Sequence, residues 1–286
     1  MFDQIAKSIP YQCIEYLGTE IWFKRLDRVH PQISGNKFFK LKYNFLQAKK
    51  EQKKRIVTFG GAYSNHIAAT AYAAQLFGFE SIGFIRGEEL QYKALNPTLE
   101  TARSMGMQLE FIDRARYRDK HLDVFLAQLE RQFPNSYIIP EGGSNALAIQ
   151  GCQEILTLND QHYDVICTPV GTGGTIAGLI EASLPHQLVL GFSALKGQFL
   201  CEEVSKLSSK RNWQIMDDYC CGGYAKTNSE LIQFMYDFEA QYQIPLEQIY
   251  TAKMLFGVFD LIRKQYFKAK QKILVIHTGG LQGRSF

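Results

Sequence analysis

The sequence predicts an α/β protein whose open, mostly parallel sheets are flanked by helices. Three observations predict it. Short β-rich runs alternate with helix-length amphipathic stretches through nearly all of the 286 residues. The strand-like runs are apolar along their whole length, as strands covered on both faces are. Glycine-rich turns follow several of these runs, at the positions where parallel sheets collect ligands. The length suits one large domain or two modest ones, and two is the natural reading. Composition marks no boundary, repeat or low-complexity linker between them.

Taken in order, Arg55–Phe59 is the first strand, rich in β-branched and aromatic residues. Gly60-Gly61 stops it, and an alanine-rich helix follows from His66 to Leu76. Ser81–Ile85 is the next strand and Pro97 to Ser104 the next helix, opened by a proline that suits a first helical turn. Leu109–Ile112 and Tyr137–Ile139 continue the alternation. A second series runs from Asp164 to Cys167, then a helix from Thr175, then Leu188 to Phe192 and a helix from about Phe199. Ile273–Ile276 is the last strand.

Composition narrows the function. A hydrophobic share of 46%, a charged share of 21% and a net charge of +4 are those of an ordinary soluble globular protein. The densest basic run, Lys49 to Arg55, falls where a helix should end before a strand, and cations there offset the helix dipole. A nucleic-acid surface is not expected. No run approaches the roughly 20 apolar residues of a membrane span, and the start Met1-Phe2-Asp3-Gln4 lacks a signal-peptide pattern. Six dispersed cysteines without a CxxC pair point to reduced thiols in a cytoplasmic protein and to no metal site.

Four segments carry candidate chemistry. Ser34-Gly35-Asn36-Lys37-Phe38-Phe39-Lys40 presents Lys37 on a small turn flanked by aromatics. Desolvation there would lower the lysine pKa and make its amine a nucleophile toward a carbonyl, although a surface lysine on a turn explains the same residues. Thr58 to His66 is a strand, a glycine turn and a helix start. Ser64 or Asn65 would serve as a helix cap, or would help to hold an anion or a ring hydroxyl. Gly171-Thr172-Gly173-Gly174-Thr175 follows a strand and opens a helix, so it exposes backbone N–H groups and two hydroxyls at a positive helix end. That is the chemistry of a phosphate cradle, and it lacks the Lys-Ser/Thr of a nucleoside-triphosphate loop. Ile276-His277-Thr278-Gly279-Gly280 closes the final strand, with His277 suited to a core role. A lysine nucleophile and a monophosphate cradle, with no metal cluster, point to a cofactor bearing an aldehyde and a phosphate, which is pyridoxal 5′-phosphate.

On Ser34-Gly35-Asn36-Lys37, Gly60-Gly61, Ser64-Asn65-His66, Gly171 to Thr175 and Tyr250-Thr251 with Lys253, the chain resembles the 1-aminocyclopropane-1-carboxylate deaminase/D-cysteine desulfhydrase family. The match is collinear from about Trp22 to Gly283. The resemblance implies the tryptophan-synthase-β-like fold, with a large cofactor-binding domain from residues 1–40 and 146–286 and a small inserted domain over 41–145. It implies that Lys37 carries the cofactor as a Schiff base, that Asn65 bonds the ring 3′ oxygen and that Ser64 faces the substrate carboxylate. It places the phosphate on Gly171, Thr172, Gly173, Gly174 and Thr175, and Tyr250 near the ring and substrate. A small amino-acid substrate and a homodimer are expected on the same ground.

The sequence departs from the ring-opening members in two places. Those members follow the tyrosine with a glutamate and have a leucine before the final Gly-Gly, where this chain has Thr251 and Thr278. A carboxylate beside the pyridine nitrogen would keep it protonated and make the ring a deep electron sink; a hydroxyl would not. The cyclopropane substrate has no α-hydrogen and needs strong electron withdrawal, whereas a β-substituted amino acid can lose its α-proton and then its leaving group. Two threonines fit that elimination, with Thr278 the first choice beside the nitrogen. The rival readings are a cyclopropane-carboxylate deaminase, a cofactor-binding protein without turnover, which would need fewer of these groups, and a nucleotide-binding dehydrogenase.

Overall fold

The computed structural model describes residues 1–284. Its first half contains β1 (Tyr11–Tyr16), β2 (Thr19–Arg25), α1 (Asn36–Lys50), β3 (Arg55–Gly60), α2 (Asn65–Phe77), β4 (Glu80–Arg86), α3 (Pro97–Ser104), β5 (Met107–Ile112), α4 (Arg114–Arg118), α5 (Asp123–Gln132) and β6 (Ser136–Ile139). There follow α6 (Ala146–Gln153), β7 (Val165–Val170), α7 (Gly174–Ala182), β8 (Leu188–Ser193), α8 (Phe199–Leu207), β9 (Trp213–Met216), α9 (Ser229–Tyr242), α10 (Thr251–Arg263) and β10 (Ile273–His277). Among the described residues no helix is long and apolar enough to cross a membrane.

Two sheets organise these elements. The larger has the order β1-β2-β10-β7-β8-β9 and the smaller β5-β4-β3-β6. Every pairing is parallel except the β1–β2 hairpin at one edge. The central strands β7, β8 and β10 are buried almost throughout, which is why they read as unbroken apolar runs. All four strands of the smaller sheet lie between residues 55 and 139. Helix α1 spans residue 41, where the inserted segment was expected to begin.

The strands and helices expected from the sequence are present, and three strands were not expected. The β1–β2 hairpin turns on Leu17 and Gly18, both at positive φ (49° and 74°), as a two-residue primed turn requires. A leucine at the first of these positions gives none of the usual Asn-Gly signal. The hairpin is pinned by a buried ion pair, Lys24 to Asp160 at 2.5 Å, and Asp160 also accepts the Tyr11 hydroxyl at 2.6 Å. Strand β9 is a short edge strand that is nowhere fully buried.

One correction concerns Lys37, which was expected on a turn and stands instead in the first turn of α1. Gly35 caps that helix with φ +66°, and a Cβ there would lie 1.8 Å from the Thr278 carbonyl oxygen. Only glycine permits this approach. The Asn36 N–H donates to the same carbonyl at 3.2 Å, which docks the start of α1 on the end of β10.

Candidate active site

A cavity of about 450 Å³ lies where the carboxyl ends of β3, β7 and β10 face one another. Its walls include Lys37, Lys40, Ser64, Asn65, His66, Gly171, Thr172, Gly173, Thr175, Tyr224, Tyr250 and Thr278. The topology thus brings together the three glycine turns and the lysine segment, which are distant in sequence. Gly174 and Thr251 are the predicted residues that do not line it.

Three lysines on α1 have different surroundings. Lys37 is half-buried and makes no hydrogen bond or ion pair with any described residue. Burial, and then the charge of Lys40, bring its pKa down to about 7. Lys40 is buried, and its three N–H bonds are all used: Gly142 carbonyl at 2.9 Å, Ser144 hydroxyl at 2.9 Å and Thr172 hydroxyl at 3.3 Å. Burial lowers its pKa to about 8. Lys42 faces away and is held by Asp3 and Glu154 at 2.6 and 2.7 Å. Of the three, Lys37 alone offers a free amine.

The glycine turn after β7 has the shape that its composition suggests. Gly173 caps α7 with φ +80°, a conformation in which a side chain is strained. The Thr172 hydroxyl meets both Ser144 and Lys40, and the Thr175 hydroxyl accepts from the Asn36 side chain at 2.8 Å. The last bond ties the cradle to the residue before Lys37. The free N–H groups of the α7 terminus and the Lys40 cation make this end of the cavity positive.

Opposite, Ser64 caps α2 and accepts the Ile67 N–H at 3.3 Å while facing the cavity. The Asn65 side-chain Oδ1 accepts from the Gln282 side-chain amide. The Tyr250 hydroxyl is hydrogen-bonded to Tyr224, and burial first, then that neighbour, hold it well above the usual tyrosine range. It is therefore a protonated phenol at neutral pH. The two threonines separate here. Thr278 lines the cavity, whereas the Thr251 hydroxyl is buried against Glu247, accepting its N–H at 3.0 Å. The Glu247 carboxylate is in turn occupied by the N–H groups of Ile249, Tyr250 and Thr251 at 2.8, 2.8 and 2.6 Å.

The family profile of the pyridoxal-phosphate-dependent enzymes matches residues 9–279. The chain belongs to that family. A Thermotoga maritima protein, provisionally named 1-aminocyclopropane-1-carboxylate deaminase, is 31% identical over 98% of this chain and 96% of its own length. An Arabidopsis thaliana protein named bifunctional D-cysteine desulfhydrase/1-aminocyclopropane-1-carboxylate deaminase, mitochondrial, is 29% identical over 93% of this chain and 73% of its own. A solved structure of an ACC deaminase homologue superposes with a TM-score of 0.82 at 26% identity, covering 98% of this chain and 91% of that one. A hydrogen sulfide-producing enzyme from Fusobacterium nucleatum shares the fold, with a TM-score of 0.70 at 15% identity over 99% and 98% of the two chains. These place the chain in the 1-aminocyclopropane-1-carboxylate deaminase/D-cysteine desulfhydrase family, with the tryptophan-synthase-β-like fold.

The residues present fit pyridoxal phosphate. One cavity holds an unpaired amine with a pKa near neutrality and, beside it, a glycine cradle backed by a cation. A further sign is His66, which the sequence reading passed over. Thr58 donates its one hydroxyl hydrogen to the Ile139 carbonyl at 2.9 Å, so at the 2.7 Å contact His66 Nε2 must be the donor. His66 is then neutral with a bare Nδ1, and that buried atom has no partner among the described residues. Burial, then the charges of Lys37 and Lys40, keep its pKa well down. Tyr224 and Lys40 were likewise missed as site residues. The local signal for Tyr224 is the Gly222-Gly223 pair directly before it; nothing local marks the partners of His66.

Proposed function

We propose that this enzyme deaminates a small amino acid by α,β-elimination, as a D-cysteine desulfhydrase does, rather than by opening a cyclopropane ring. The observation that carries this reading is the absence of a free carboxylate among the described lining residues. Thr278 faces the cavity at the end of β10, Thr251 stands where ring-opening members have glutamate, and Glu247 is spent on backbone N–H groups. Glu141, which does line the cavity, is bonded to Tyr117 at 2.7 Å and Lys120 at 3.1 Å.

In this reading Lys37 would hold the cofactor aldehyde, and its neutral amine is the base for the substrate α-proton. A base of that kind typically contributes about 10²–10⁴-fold. Bound pyridoxal phosphate supplies the electron sink. Gly171–Thr175 and Lys40 hold the phosphate, Asn65 faces the ring oxygen, and Ser64 with the α2 terminus faces the substrate carboxylate. Tyr250 stays protonated beside the substrate, and Thr278 would be the hydroxyl donor to the ring nitrogen, unable to charge it. The reading also treats residues 41–145, which contain every strand of the smaller sheet, as the inserted domain.

The test is a product assay on the cofactor-loaded enzyme with both enantiomers of cysteine and β-chloroalanine, and with the cyclopropane amino acid. Pyruvate from at least one β-substituted alanine, with little 2-oxobutyrate from the cyclopropane substrate, is expected. Comparable 2-oxobutyrate release would overturn the reading.

A further inference from the structure

Arg86 closes β4 at the rim of the same cavity, and its guanidinium is exposed. It lies over the ring of Tyr117, 5.9 Å from the centroid, and forms no hydrogen bond or ion pair with any described residue. Its neighbours are differently placed. Lys40 has three acceptors, and Lys120 is paired with Glu141. Glu141 gives its other oxygen to Tyr117, so this carboxylate on the cavity wall is already taken by other donors. The charge of Arg86 also reaches Tyr224, whose pKa it lowers against the stronger effect of burial. A Cβ on Gly61 would come within 3.9 Å of Arg86 Nη2, which places the guanidinium over the turn that leads to Ser64.

The cavity therefore carries one cation more than the cradle uses. Lys40 and the α7 terminus suffice for a phosphate at one end. Arg86 stands apart from these, exposed on the cavity wall beside the Gly61 turn, with its donors unspent on any described residue. A planar guanidinium with free donors is suited to a tetrahedral or planar oxyanion.

We propose that Arg86 is a specificity-determining residue that receives an oxyanion on the substrate β-carbon. The preferred substrates are then β-substituted alanines whose leaving group is phosphate, sulfate or thiosulfate. This rests on the elimination reading above. In the step, the α-proton passes to the Lys37 amine, the Cβ–O bond of O-phosphoserine breaks, and its electron pair leaves with inorganic phosphate. The released 2-aminoacrylate tautomerises and is hydrolysed by water to pyruvate and ammonia, so no oxidant or reductant is needed.

The same guanidinium could instead meet the α-carboxylate that every amino acid carries, and the experiment separates the two. Wild-type, Arg86→Gln and Arg86→Lys enzymes, loaded with cofactor, are assayed on O-phosphoserine and on β-chloroalanine of the same hand. Arg86→Gln is expected to lower the ratio of kcat/KM for O-phosphoserine over β-chloroalanine roughly tenfold, with partial recovery in Arg86→Lys. Added salt should shrink the wild-type ratio, because the pair is near solvent. An equal loss on both substrates would assign Arg86 to the α-carboxylate and overturn the proposal. If no β-substituted alanine is turned over, the elimination reading fails, and titration of the cofactor absorbance still decides on Arg86. Tighter binding of O-phosphoserine than of serine, lost in Arg86→Gln, supports the proposal; equal affinities in wild type contradict it.

Discussion

Among the described residues, the polar side chains of the glycine cradle have partners, while several others that line the same cavity have none. Lys40, Thr172, Ser144 and Thr175 are bonded to one another, to the Asn36 side chain or to backbone. Lys37, the Nδ1 atom of His66 and, at the rim, Arg86 are not. A saturated network fixes geometry and charge, and costs little on binding because it is already made. Unspent groups remain available for chemistry, and their desolvation is borne by the fold. The difference separates the two lysines more firmly than their positions in a motif do.

The largest expected effect breaks that contrast at its reactive end. Lys37→Ala should lower turnover by about 10²–10⁴-fold or more, whereas Lys40→Met should mainly weaken cofactor retention, with the cofactor that is retained still attached at Lys37. Stopped assays with absorbance of the bound cofactor check both; equal behaviour of the two variants would erase the distinction. A smaller effect tests the cradle. Gly173→Val forces a β-branched residue to φ +80°, a strain of roughly 1–2 kcal/mol. Cofactor retention after dialysis should fall by more than the melting temperature suggests.

Next comes the pair of threonines. Thr278→Val should slow elimination by about 3–10-fold through loss of one hydrogen bond. Thr251→Val should act on stability alone, since its hydroxyl serves the Glu247 turn. Paired rate and melting measurements distinguish them.

The smallest effect is a pH dependence of the cofactor-free protein. Lys37 and Lys40 have folded-state pKa values of about 7 and 8, below the usual 10.5, so the unfolded chain binds more protons between about pH 7 and 10.5. Stability should therefore rise with pH through that window. Lys37→Met should flatten the rise by roughly 2–4 °C in Tm between pH 7 and 9.

Much of this contrast could be read from the sequence, and the physical reason is locality. The Gly171–Thr175 turn announces itself because positive φ at Gly173 and the close approach of Tyr250 to Gly171 and of Ser144 and Lys40 to Gly174 all favour glycine. The strands of both sheet centres do so because burial on two faces removes polar residues. Helix α1 was legible only at its end, where Lys49 and Lys50 sit, because its buried face carries Lys40 and Lys42 as well as Phe38 and Leu41. That mixture hides the apolar period. The tautomer of His66 depends on Thr58 and Ile139, and the second residue is 81 positions from the first. Long-range bonds of that kind leave no local mark. The β1–β2 hairpin was missed because Leu17 holds a left-handed position by tertiary constraint rather than by its own preference.

The most direct measurement is borohydride reduction of the cofactor-loaded enzyme, followed by peptide mapping. The unpaired amine on the first turn of α1 requires the pyridoxyl group on Lys37, with Lys40 unmodified. A pyridoxyl group on Lys40 would contradict it.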